Sequence, residues 1–274
     1  MPYQFDPKRM YRMPTHFGPS LGPRQGRDGA TYANEDSPKK TVVSVSYLSD
    51  RQQIEALLPP GFAVSGPPEV TISASYVTEI EWLAGRGYNM LGVTFPATFR
   101  GERDQAEGRF LAVLWENLAD PIITGREELG FSKIYCELPE LQVVGNTFRG
   151  NASWMGFQFF EMAVSNAVQI AVEDKQASPA ANLLHYKYMP RTGEWGQADA
   201  SYATMSPAPA VGARVTEMWR GEGRIHFHQA AWEELPTLFN VVNALEALPV
   251  VEYRGATVVK TVGGGDYSDQ QILR

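Results

Sequence analysis

Apolar and polar residues alternate at a period of two along most of this chain, and that feature constrains the fold more than any other. In Thr41–Leu48, Val43, Val45 and Tyr47 alternate with Ser44 and Ser46. In Glu69–Val77, Val70, Ile72, Ala74 and Tyr76 share one face and Thr71, Ser73 and Ser75 the other. Successive side chains of a strand point to opposite faces, so each segment reads as a half-buried strand. Further strand-like stretches are 89–99, 109–115, 141–144, 152–162, 184–189, 214–219, 224–228 and 250–262, most of them separated by Gly or Pro. Helical patterns are short: 120–129, 165–174, 232–245, and a helix that Asp50 would cap and Leu58-Pro59-Pro60-Gly61 would end. Many strands with few helices predict a mainly β (α+β) fold: a large, largely antiparallel sheet closed into a barrel, with small helices packed on it.

The pattern divides the chain of 274 residues into three parts. Residues 1–40, rich in Gly, Pro, Arg and Asp, read as an arm that wraps the domain or a neighbouring subunit, or as a loosely ordered terminus. Residues 41–262 form one barrel domain. Residues 263–274 (GGGDYSDQQILR) read as a polar, frayed tail. A hydrophobic content of 43% supplies a sizeable core, and a net charge of −7 argues against a nucleic-acid partner. Cys136 is the only cysteine, so no intrachain disulfide forms, which suggests a reducing compartment. The first twenty residues lack the apolar core of roughly 7–15 residues that marks a signal peptide. No run approaches the roughly 18 apolar residues of a membrane span. The expectation is a soluble, cytoplasmic protein with no membrane partner.

No nucleotide-binding glycine loop, HExxH, CxxC or GxSxG occurs, so neither a cofactor nor a metal is expected. His226 and His228 flank Phe227 on a strand and share a face, but two ligands are too few for most metal sites. They read as a hydrogen-bonded or exposed pair.

One stretch carries chemistry: LWENLADPIITGREELGFSKIYCEL, residues 114–138. If Phe131–Cys136 is a strand, Phe131, Lys133 and Tyr135 share one face. Burial between two rings would disfavour the ammonium of Lys133 and lower its pKa. A neutral amine condenses with ketones. The alternative from pattern alone is a lysine that snorkels past the rings to solvent.

At this point the sequence resembles the acetoacetate decarboxylase family. Gly125-Arg126-Glu127 followed by Leu129-Gly130-Phe131-Ser132-Lys133 is similar to the family's Gly-Arg-Glu … aromatic-Pro-Lys-Lys signature. The likeness continues in Tyr47–Asp50 with Leu58–Phe62, in Trp115-Glu116-Asn117, in Glu217–Gly221 and in Leu248-Pro249-Val250, in consistent order from about Lys40 to Val262. It implies a cone-shaped, mainly antiparallel barrel with an interior active site, often in homo-oligomers, and a Schiff base on Lys133. Three departures go with it. The family's second lysine is Ile134, which removes a positive charge beside Lys133. Its two active-site glutamates fall on Ser73 and Met90, and its arginine falls on Lys40.

The resemblance implies a lyase that binds a small oxo acid through a lysine imine. A 3-oxo acid such as acetoacetate would lose CO₂. Pyruvate would lose a methyl proton, add to an aldehyde and shed water, as aldolase-dehydratases do. The altered carboxylates favour the second route. Glu116 and Tyr253 are the candidates for proton transfer, Arg126 for holding the substrate carboxylate, and Tyr88, Trp115, Ser73 and Met90 for lining the site. A third reading, from a different class, is a non-catalytic barrel that carries a small ligand.

Overall fold

In Thr41–Leu48 and Glu69–Val77 the alternation becomes strand as expected, with Val43, Val45, Tyr47, Val70, Ile72, Ala74 and Tyr76 all buried. The structure, a computed structural model, describes residues 4–172, 181–209 and 213–274. Its strands run β1 Lys39–Leu48, β2 Phe62–Val64, β3 Glu69–Ile80, β4 Arg86–Arg100, β5 Gln105–Glu116, β6 Lys133–Tyr135 and β7 Gln142–Val144. They continue with β8 Thr147–Trp154, β9 Phe157–Ile170, β10 Asn182–Pro190, β11 Ala198–Ser206, β12 Arg214–Phe227, β13 Glu252–Val262 and β14 Gln271–Leu273. The α-helices are α1 Arg51–Glu55, α2 Ala119–Thr124 and α3 Phe239–Glu246. Asp50 caps α1 as predicted, its Oδ1 accepting from the Gln53 amide at 2.9 Å.

The strands join in one sheet, in the order β14-β11-β10-β5-β4-β3-β1-β13-β12-β9-β8-β7, with β2 on β4 and β6 on β5. Pairing is antiparallel except where β10 and β6 run parallel to β5. The mainly β expectation therefore holds, and the sheet is large and mixed. Among the described residues no strand-long ladder closes it into the barrel expected from the sequence. An isolated bridge ties the segment after β6 to β8: the Glu137 and Ser153 amides donate to each other's carbonyls at 2.8 and 3.0 Å. Pro139, which has no N–H to offer, follows two residues later.

The main core gathers on one face of the sheet. Trp115 packs on Phe159 with ring centroids 5.4 Å apart, Phe160 packs on Phe227 at 4.7 Å, and Ile72, Leu91, Phe95 and Leu235 are fully buried around them. The other face of β1 and β3 carries Lys40, Ser44, Ser73 and Val77, which the register sets in matching positions.

Several local expectations give way to pairing. Residues 165–170 belong to β9 rather than to a helix, because β9 pairs with β12 there; position 174 lies outside the described residues. The stretch 152–162 is a hairpin, with Met155 and Gly156 turning at positive φ (46° and 89°), the backbone a two-residue turn requires. Only Phe239–Glu246 of the third helical pattern is α-helix. The chain end is pinned: β14 pairs with β11, and the Arg103 and Asp104 amides both donate to the Arg274 carbonyl at 2.7 Å.

Candidate active site

Lys133 opens β6, opposite Leu114 of β5. Its side chain does not snorkel; only 8% of it is exposed. Nζ donates to the Pro121 carbonyl at 2.9 Å and sits 2.8 Å from Glu116 Oε1. Glu116 is fully buried, and neither of its oxygens has a partner in hydrogen-bond geometry, so the lysine contact is one of proximity and charge. Phe131 lies beside the amine, its ring centre 5.6 Å from Nζ. Tyr135, expected on the same face, is about half exposed and turns away.

Burial is the largest influence on both groups. It lowers the Lys133 pKa and raises that of Glu116, and their mutual attraction opposes both shifts. The charge of Arg24 lowers Lys133 further. Both directions favour a neutral amine beside a protonated carboxyl, two groups that can pass one proton between them.

Gly125 makes room for the amine. A Cβ there would lie 2.5 Å from both Cδ and Cε of Lys133. Gly125 opens a single π-helical turn, Gly125–Leu129, of the kind that recurs at functional sites. Arg126 donates from Nη1 to the Lys133 carbonyl at 2.8 Å. Glu128 pairs with Arg12 at 2.9 Å and with Arg24, and the Leu129 carbonyl accepts from Thr204 at 3.1 Å and Gln270 at 2.6 Å. The turn thus fastens the lysine, the N-terminal arm and the C-terminal tail together.

Lys133 faces a cavity of about 280 Å³. Its floor is strand: Ser73 and Val77 of β3, Tyr88, Met90 and Gly92 of β4, and Leu114 of β5. Its roof is coil from both chain ends: Pro23, Arg24 and Pro38 from the arm, Gly265, Asp266 and Tyr267 from the tail. Of the residues singled out in the sequence, Lys133, Tyr88, Ser73 and Met90 line the cavity, and Glu116 stands directly behind the lysine. Three lie elsewhere. Trp115 is fully buried in the main core against Phe159, since neighbouring residues of one strand cannot both face the cavity. Arg126 is engaged with the Lys133 backbone. Tyr253 packs on Tyr47, and its hydroxyl accepts from the Ile225 amide at 3.3 Å.

Sequence reasoning missed Arg24 and Tyr267 altogether, because coil has no period to mark a facing side chain. Lys40 lines the same cavity, and burial lowers its pKa. Burial, then the nearby Glu116 and Tyr267, push the Tyr88 phenol far up, while Arg24 pulls it down. Among the described residues no three His, Cys, Asp or Glu side chains gather to hold a metal ion, and no helix is long and apolar enough to cross a membrane.

An open mixed β-sheet with a buried lysine–glutamate pair at a partly open cavity defines the class of this domain. The acetoacetate decarboxylase family model matches residues 12–268, and the chain belongs to that family. Family and neighbours together support a lyase-type enzyme. An acetoacetate decarboxylase structure aligns at TM-score 0.69 and 14% identity, over 98% of each chain. Acetoacetate decarboxylase of Legionella pneumophila aligns at TM-score 0.65 and 17% identity, over 89% of this chain and 91% of that one. The enduracididine biosynthesis enzyme MppR complexed with pyruvate aligns at TM-score 0.60 and 17% identity, over 91% and 95%. No curated protein matches the chain significantly.

Proposed function

We propose that the chain is a Schiff-base lyase that joins pyruvate, through an imine on Lys133, to an aldehyde and then eliminates water. The observation that carries this reading is the buried pair of Lys133 and Glu116, 2.8 Å apart at the cavity wall. The neutral amine attacks the ketone carbon. The resulting hydroxyl takes a proton from the Glu116 carboxyl and leaves as water, giving the iminium. The iminium withdraws electrons from the adjacent methyl group, whose proton returns to Glu116, and the enamine remains. Its carbon attacks the aldehyde, whose oxygen takes the proton held by Glu116 as the iminium re-forms. Loss of water then gives an unsaturated oxo acid, which hydrolysis frees from Lys133. Tyr88, close to both Glu116 and Arg24, is the second candidate for proton transfer.

The aldol route is preferred to decarboxylation because the cavity presents Ser73 and Met90 where the resemblance sets glutamates. MppR, a structural neighbour, is described in complex with pyruvate and with the condensation product of pyruvate and imidazole 4-carboxaldehyde, which supports this reading. Homo-oligomer assembly in the cytoplasm is part of the same reading.

Incubation with pyruvate and borohydride, followed by digestion, should place a mass increment on Lys133. Pyruvate with an aldehyde should give an absorbing enone. Rapid CO₂ release from acetoacetate with no enone would replace the aldol step by decarboxylation. No adduct with either acid would leave only a ligand carrier.

A further inference from the structure

We propose that Arg24, delivered by the N-terminal arm, grips the carboxylate of the oxo acid and so selects acids over neutral ketones at Lys133. The inference rests on the imine reading above and deepens it.

Three observations carry it. First, Arg24 lines the same cavity as Lys133, although about 109 residues separate them, and its side chain is only 8% exposed. A guanidinium stays charged when buried, so it faces the cavity as a cation. Second, it is held rigidly with donors to spare. Nε donates to Glu128 Oε2 at 2.9 Å, Nη2 to the same oxygen, and Nη1 to the Asp266 carbonyl at 3.0 Å. Of the five N–H groups of an arginine, two remain, one on each terminal nitrogen. Two parallel donors are what a carboxylate accepts. Third, the competing cations are worse placed. Arg126 is spent on the Lys133 carbonyl. Lys40 faces Val77, which pairs with Tyr88; Gly92, four residues further along β4, sits opposite Leu114 in the row that holds Lys133. Four residues of strand span about 13 Å. The charge of Arg24 acts on Lys133, and that of Lys40 is absent from the influences on it.

Arg24 also answers the loss of the lysine that Ile134 replaces. The arm returns a positive charge to the cavity that Lys133 lines, on a group that cannot itself form an imine.

The test is borohydride trapping at Lys133 by pyruvate and by its neutral methyl ester, in the full chain and in Arg24→Gln. Glu128 keeps Arg12 as a partner in the variant. Arg24→Gln should raise the half-saturating pyruvate concentration about 100-fold, the worth of a charge-assisted pair of hydrogen bonds. It should reduce ester trapping far less, since with the ester only the effect of the Arg24 charge on the Lys133 amine is lost. Arg24→Lys, with a point charge in place of the fork, should recover part of the loss. Unchanged pyruvate trapping in Arg24→Gln would overturn the proposal, and so would equal loss of both probes, which would leave Arg24 no part in recognising the carboxylate. If the parent chain traps neither probe, the imine reading fails and not the carboxylate grip alone.

Discussion

The floor and the roof of the cavity are built by different means. The floor is strand, held by ladders that fix each side chain to a face, and it brings the amine, its acid and a mostly apolar surface. The roof is coil from the two ends of the chain, fixed by side-chain hydrogen bonds and ion pairs, and it brings the fixed charge of Arg24. On the function proposed above, reactivity belongs to the part that strand pairing fixes and recognition of the acid to the part that side-chain contacts fix.

That division can be broken at successive points. Replacing Lys133 by alanine should abolish the borohydride adduct completely, while a near-ultraviolet spectrum shows the fold retained. Gly125→Ala should come next. The backbone there is helical (φ −68°, ψ −39°), so the penalty is the clash with the lysine stem and not strain at glycine. Displacing the amine by about 1 Å should slow adduct formation roughly 100-fold, and an unchanged rate would show that the stem has slack. Glu116→Gln keeps the shape and removes the exchangeable proton; imine formation should slow by about 100-fold or somewhat less. Glu116→Leu should additionally show whether the buried pair stabilises the fold, since urea unfolding would report several kcal/mol lost if the lysine stays charged and little if it is neutral. On the roof, Glu128→Gln releases both arm arginines, and pyruvate affinity should fall about tenfold with trapping by the neutral ester preserved.

The smallest effect concerns the back of the floor. His185 stacks on Phe131 at 4.0 Å and is fully buried; burial, aided by Lys133, lowers its pKa to about 3. The folded chain therefore refuses a proton that the unfolded chain accepts near pH 6.5. The stability this represents is whole above that pH and declines as pH falls towards 3, at up to about 1.4 kcal/mol per unit. His185→Phe should flatten that part of the pH profile of unfolding.

The same division marks what the sequence made legible. The alternation in Thr41–Leu48 and Glu69–Val77 located the floor, and the signature around Gly125 drew attention to Lys133. Glu116 was recognisable as an acid candidate, and its nearness to Lys133 follows from two strands in parallel register. Trp115 could have been set aside by the same rule, since it adjoins Glu116 on one strand. The polar face of β3 reads as solvent-facing, yet Ser73 and Val77 line the cavity, because alternation separates two faces without saying what covers either. The covering comes from residues 23–38 and 265–267, where no period exists and position depends on partners far away in sequence. Tyr253 is a strand residue whose face is satisfied by Tyr47, a pairing that only the register shows.

Arg24 reaches the Asp266 carbonyl over 242 residues, and Gln270 reaches the Leu129 carbonyl over 141. Contacts that close such long loops bear the largest chain-entropy cost and slow folding. The surroundings of Lys133 are therefore completed by contacts between segments more than a hundred residues apart in sequence.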